Sequence, residues 1–138
     1  MPRIIAIDYG KKRTGIAVTD ELQIIATGLT TVETQDLFDF LGKYIAENPI
    51  QEIVVGQPVR MHGEIGQLET DIQLFIQKFQ EKFPEIPVFR ENESLTSKMA
   101  SQAIFNSGAK KKQRKDKALV DKISAVLILQ SYMNSRSI

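Results

Sequence analysis

Apolar and polar residues along this chain change period in an order that outlines a sheet joined by crossover helices. Ile4-Ile5-Ala6-Ile7 is an unbroken apolar run of strand length, and Gly15-Ile16-Ala17-Val18 is a second. Runs of this kind suit strands covered on both faces. Gly10 and Gly15 bracket the segment between them, as expected of a turn joining two strands that run in opposite directions. The β-rich stretch Gln23 to Val32 follows after the polar Thr19-Asp20-Glu21 and predicts a third strand, completing an antiparallel meander.

From Thr34 the apolar period lengthens. Leu37, Phe38, Leu41, Tyr44 and Ile45 recur at helical spacing, with Thr34 as the expected cap and Pro49 as the stop. Ile53-Val54-Val55-Gly56 predicts a short buried strand, and residues 57–66 a loop. A second helix is expected from about Leu68 to Phe83, with Pro84 ending it. Pro87-Val88-Phe89-Arg90 leads into a last strand that closes on Glu91-Asn92-Glu93. A helix beginning at Ser94 or Thr96 and capped by Gly108 comes next. A final helix is expected over roughly Ala118 to Asn134.

Three strands, a helix, a strand, a helix, a strand and closing helices describe an α/β fold. Right-handed crossovers place the fourth and fifth strands parallel to the first. The expected product is one domain over residues 1–138, a mixed five-stranded sheet with helices on both faces. Ligands of open sheets gather at the carboxyl ends of the parallel strands, and Asp8, Gly56 and Glu93 all fall there.

Composition narrows the class. The chain has 138 residues, 42% of them apolar and 25% charged, with no cysteine. Disulfide scaffolds and thiolate metal centres are thereby excluded. No segment has the length of a membrane span or a signal peptide, which implies a soluble, cytoplasmic protein. The net charge of +1 is unevenly spread. Residues 110–117 (KKKQRKDK) carry +5, leaving −4 for the rest. A polyanionic partner would therefore be met at one place, although a basic run is usually just a solvated loop, and on charge alone that reading is favoured.

Asp121 interrupts an apolar helix on the face formed by Ala118, Ala125 and Ile128. A carboxylate there needs a cation, a hydrogen-bond network or exposure to offset its burial. Asp8, Glu93 and Asp121 are thus three carboxylates, distant in sequence, that could converge. Glu91 lies on the same side of its strand as Glu93, so alternation does not choose between them. Hard divalent cations take oxygen ligands, which points to magnesium or manganese rather than zinc. Paired ions of this type serve in-line phosphoryl displacement, so phosphodiester hydrolysis is the reaction class that fits.

Four segments carry a family resemblance nearly end to end. They are Asp8-Tyr9-Gly10-Lys11-Lys12-Arg13-Thr14-Gly15-Ile16-Ala17-Val18, the stretch Val54 to Gly63 (VVGQPVRMHG), Glu93-Ser94-Leu95-Thr96-Ser97, and Val120 to Gln130 (VDKISAVLILQ). With these in order, the chain resembles the YqgF-type pre-16S ribosomal RNA nucleases, also described as Holliday-junction-resolvase-like proteins, of the ribonuclease H-like fold. The resemblance implies that Asp8, Glu93 and Asp121 are metal-binding catalytic acids and that Lys11 and Arg13 face the phosphate backbone. It departs from the family at Asn92 and Ser94, where Asp and Arg are usual, and at His62, where Asp is usual. Gly56 reads as a backbone device that lets a nucleic-acid strand approach. Lys110, Lys111, Lys112, Arg114 and Lys115 directly precede the Asp121 helix and could reach phosphates. With no aromatic residue among them, they would read backbone and shape.

The expected function is a magnesium- or manganese-dependent endonuclease acting on structured RNA, by resemblance the ribosomal RNA precursor. Branched DNA is the neighbouring substrate and would favour a homodimer over a monomer. A non-catalytic nucleic-acid-binding factor in ribosome assembly or transcription is the reading from another class. A sugar-kinase-like phosphotransferase ranks below these, because such enzymes close two domains over ATP. Replacing Lys110, Lys111 and Lys112 with Ala is expected to weaken RNA and DNA binding alike, and to lower the slope of log affinity against log salt by about 1 for each phosphate no longer neutralised. Binding titrations at several salt concentrations that keep the parent slope would remove this role from the basic run.

Overall fold

A computed structural model describes residues 2–57, 67–92 and 117–136. The strands are β1 (Arg3–Asp8), β2 (Arg13–Thr19), β3 (Ala26–Glu33), β4 (Ile50–Gln57) and β5 (Val88–Asn92), and the helices are α1 (Leu37–Glu47), α2 (Gln67–Lys82) and α3 (Lys117–Arg136). Of the expected loop over 57–66 only Gln57 is described, and it ends β4. Of the basic run 110–117 only Lys117 is described, and it begins α3. The helix expected after Ser94 lies outside the described residues.

The strands form one sheet in the order β3-β2-β1-β4-β5. β1 pairs antiparallel with β2, and β2 with β3, while β1–β4 and β4–β5 are parallel. This is the mixed sheet expected of the sequence. Alternation sorts its side chains onto two faces. Ile5, Ile7, Ile16, Val18, Ile53 and Val55 pack with α1 and α2 through Leu37, Leu41, Phe75 and Phe79. Ile4, Ala6, Ala17 and Val54 pack with α3 through Ala125, Ile128, Leu129 and Tyr132. Asp8 and Gly15 are register partners. Each lies two residues along its strand from the paired Ala6 and Ala17, so both stand on the α3 face.

That face holds small residues, and α3 comes close to it. A Cβ at Gly15 would sit 2.0 Å from the Asp121 carbonyl oxygen and 2.4 Å from its carbon. No side chain fits there, so glycine is required for the helix backbone to rest on β2. Farther along α3, the Tyr132 hydroxyl donates to Oε2 of the buried Glu52 of β4 at 2.7 Å.

On the other face, Arg90 of β5 fastens three elements. Its Nε donates to the Val55 carbonyl at 3.1 Å and its Nη2 to the Gly56 carbonyl at 2.9 Å. Its two terminal nitrogens also grip Glu69 of α2 at 2.9 and 2.8 Å, a bidentate pair. Hydrogen bonding to Arg90 holds the Glu69 carboxyl below its ordinary pKa.

Two local expectations need correction. The third strand starts at Ala26, not Gln23. Asp20 Oδ1 accepts from the Ile24 and Ile25 amides at 2.7 and 2.8 Å, diverting both from strand pairing. These bonds, that from Ile25 foremost, hold the Asp20 carboxyl below its ordinary pKa. Thr34 does not cap α1. It opens a 3₁₀ turn (Thr34–Asp36), and its hydroxyl donates instead to the Gly10 carbonyl at 2.6 Å. Among the described residues no helix is long and apolar enough to cross a membrane.

Gly15→Ala is expected to cost about 1–3 kcal/mol, the usual penalty for overpacking. A urea-unfolding midpoint equal to the parent's would contradict the backbone contact. Glu69→Gln should cost about 1–3 kcal/mol at neutral pH, since it strips a charged partner from Arg90. Because the folded Glu69 carboxyl titrates below its ordinary 4.5, the stabilisation is complete above that value and fades as pH falls through the folded one. Stability curves of parent and variant should therefore converge in acid, and curves that stay parallel from pH 7 to 2 would remove the pair as their cause.

Candidate active site at the carboxyl edge of the sheet

Asp8 ends β1 at the carboxyl edge of the sheet, half-buried. Its partner across the ladder is Gly15, and directly on Gly15 lies the backbone of Asp121. Paired residues of antiparallel strands are about 4.5–5.5 Å apart at Cα. The two aspartates, 113 positions apart in sequence, are therefore separated at the backbone by one strand spacing and the close helix-on-sheet contact at Gly15. Asp8 and the backbone of Asp121 thus lie on one face of the sheet, on either hand of Gly15.

Asp121 has its compensating cation. Arg13 Nε donates to Asp121 Oδ2 at 3.3 Å, with the two side chains 38% and 27% exposed. Exposed pairs of this kind contribute only about 0–1 kcal/mol, so the arginine is a partner that a stronger ligand can displace. The cation that a carboxylate in this helix was expected to need comes from Arg13, at the start of β2.

That turn is held from outside. Thr34 donates its hydroxyl proton to the Gly10 carbonyl, leaving Thr14 as the donor in the 2.9 Å bond between the two threonines. The Thr34 amide also donates to the Lys12 carbonyl at 2.9 Å. Lys11 and Lys12 are exposed, and with Arg13, Glu33 and Gln35 they line an open cavity of about 510 Å³. Three cations around such a hollow can receive phosphate oxygens.

Gly56 is buried near the end of β4, opposite Glu91 in register, and its carbonyl is tied down by Arg90. Glu91 Oε1 accepts from Ser131 of α3 at 2.9 Å. Ser131 is ten residues beyond Asp121, about 15 Å along the helix axis. Glu91 is thus engaged away from the two aspartates. Glu93, His62, Lys110, Lys111, Lys112, Arg114 and Lys115 lie outside the described residues. Among the described residues no group of three or more Asp, Glu, His or Cys is gathered to hold a metal ion. Of the three expected acids only Asp8 and Asp121 are described, both next to Gly15. Their donors are hard oxygens on separate elements at an edge open to solvent, which suits magnesium or manganese.

Reasoning from sequence passed over Arg90, Glu69 and the Thr14–Thr34 pair. Arg90 left one signal, a long cation placed inside a short strand directly after apolar Val88 and Phe89. The threonines left none, because their meeting depends on sheet register.

Known proteins resemble this chain over its whole length. The chain is 53% identical over 133 residues to a Christiangramia forsetii protein named "Putative pre-16S rRNA nuclease", covering 96% of this chain and 98% of that one. It is 52% identical over 136 residues to a Phocaeicola vulgatus protein of the same name, covering 99% and 98%. Among solved structures, a fowlpox virus resolvase in complex with Holliday junction DNA aligns with a TM-score of 0.58 at 15% identity, covering 99% of both chains. T. thermophilus RuvC in complex with a Holliday junction substrate aligns with a TM-score of 0.58 at 16% identity, covering 99% of this chain and 96% of that one. At such identities these two establish the fold, and it is the ribonuclease H-like one expected. The family described as "RuvX: Holliday junction resolvase" matches residues 2–135, and this chain belongs to it.

Proposed function

We propose that this chain is a divalent-metal-dependent endonuclease that hydrolyses phosphodiester bonds of structured nucleic acid, acting in the cytoplasm on the 5′ end of the pre-16S ribosomal RNA. The observation that carries the reading is the meeting of Asp8 and Asp121 across Gly15 at the carboxyl edge of the sheet. It is supported by relatives about half identical to this chain over its full length and named as pre-16S rRNA nucleases.

Asp8 and Asp121 would hold magnesium or manganese, with Glu93 as the third acid. When bound, such an ion supplies Lewis-acid stabilisation of the charge that builds on the phosphate oxygens. The protein's own side chains do the rest. Arg13 neutralises Asp121 while the two are paired, and on release its guanidinium can turn to a phosphate of the incoming strand. Lys11 and the basic residues Lys110, Lys111, Lys112, Arg114 and Lys115 attract the backbone without reading bases. The carbonyls of Val55 and Gly56, fixed by Arg90, keep the end of β4 rigid where the strand would pass.

A second reading keeps this chemistry and changes the substrate to branched DNA. The description of the family as Holliday junction resolvases favours it. One paired assay separates the two, using a precursor rRNA 5′ end and a four-way DNA junction with magnesium. The expected result is cleavage of the RNA that falls at least about 100-fold in Asp8→Asn and Asp121→Asn, while both variants still bind. Preferential cleavage of the junction would select the second reading. Binding of both substrates by the parent with no cleavage of either would leave a nucleic-acid-binding factor.

A further inference from the structure

The β1–β2 turn has a second hollow on its other side. Tyr9, Phe38, Leu74 and Phe75 line an open cavity of about 270 Å³, with Asp71 and Lys78 among its polar walls. The rings are continuous. Phe75 lies 5.5 Å from Tyr9 and 5.2 Å from Phe38 between centroids, tilted against each. Phe75 is buried, whereas Tyr9 and Phe38 are half-buried and keep surface toward the hollow. Leu74 is 52% exposed, so core packing does not account for it.

The polar groups are sparse and of opposite kinds. Asp71 accepts a hydrogen bond from Gln67 Nε2 at 3.2 Å, and a carboxylate has further lone pairs to offer. Burial and the nearby Asp71 charge raise the Tyr9 pKa above 10, so its hydroxyl remains a donor. The volume is below that of sites for drug-sized molecules, and aromatic walls with one acceptor and a few donors suit a single flat heterocycle.

Thr34 ties this hollow to the cationic one. It lines the aromatic cavity, while its neighbours Glu33 and Gln35 line the cavity of Lys11, Lys12 and Arg13. A nucleotide whose phosphate rests on the cations is thereby offered an aromatic slot for its base. We infer that the Tyr9–Phe38–Phe75 cavity is a subsite for one unpaired nucleobase carrying an exocyclic amino group, stacked on the rings and donating to Asp71. The inference rests on the nucleic-acid reading above and adds base selectivity to it. Bases splayed from single strands are held in this way, by stacking and by hydrogen bonds to their edges, and an acidic side chain accepts from the amino group of cytosine. Uracil presents a carbonyl at that position and should be disfavoured.

The test uses ten-residue RNA oligomers of cytosine, of uracil, and of abasic ribose phosphate, titrated against the full chain at one salt concentration. Affinity and the NMR signals of the Tyr9 and Phe38 rings are followed together. The expected result is binding of the cytosine oligomer at least about 10-fold tighter than the abasic one, intermediate binding of the uracil oligomer, and ring shifts only when bases are present. Phe38→Leu should remove most of the gain over the abasic oligomer. Asp71→Asn, whose amide can face either pyrimidine, should erase the preference for cytosine, read as the ratio of the cytosine to the uracil affinity. Equal affinities for all three oligomers with unmoved ring signals would overturn the subsite and leave the phosphate contacts standing. Failure of all three to bind would overturn the nucleic-acid reading together with it.

Discussion

The backbone of α3 rests directly on Gly15 of β2, and the arrangement of the acidic edge follows from that contact. A helix normally stands off a sheet by the thickness of intervening side chains. Here the Asp121 carbonyl occupies the space a Cβ would need, and the residues around it, Ala6, Ala17 and Ala125, are small and fully buried. The opposite face of the sheet is filled by Ile, Leu and Phe beneath α1 and α2. The sheet is therefore thinly covered on the side that carries Asp8, and the thin cover brings a residue of the last helix to the end of the first strand.

Charge then has to be managed at the same spot. Asp8 and Asp121 share one side of an edge where like charges would repel, and Arg13 supplies a cation to the second of them. Its turn is braced through Thr34, which holds both Gly10 and Lys12 by their carbonyls. The pair is partly exposed and weak. On the far side of the sheet the Arg90–Glu69 fork is better shielded, its side chains 20% and 13% exposed, and it holds the end of β4 in place.

Much of this was legible in the residues. The buried runs of β1, β2 and β4 and the helical stripes of α1 and α2 followed from period alone, because packing on two faces leaves an unambiguous apolar pattern. Asp8 stood out as a carboxylate at the end of an interior strand beside a cationic turn, and the acid in α3 because it breaks an apolar stripe. What period could not convey was pairing at a distance. Ile24 and Ile25 read as strand, yet the Asp20 side chain captures their amides and leaves both exposed. Thr34 read as a cap, yet it bonds a carbonyl 24 residues away. The partnership of Arg13 with Asp121 spans 108 positions and exists only once the α3 contact has formed. Glu93, the third acid implied by family resemblance, falls outside the described residues.

The central claim is that Asp8 and Asp121, brought together through Gly15, share a divalent ion. Anomalous diffraction from crystals soaked in manganese tests it most directly. The account predicts an anomalous peak at about 2.0–2.3 Å from a carboxylate oxygen of each aspartate, with Arg13 displaced from Asp121. A peak elsewhere, or none while Arg13 stays on Asp121, would contradict it.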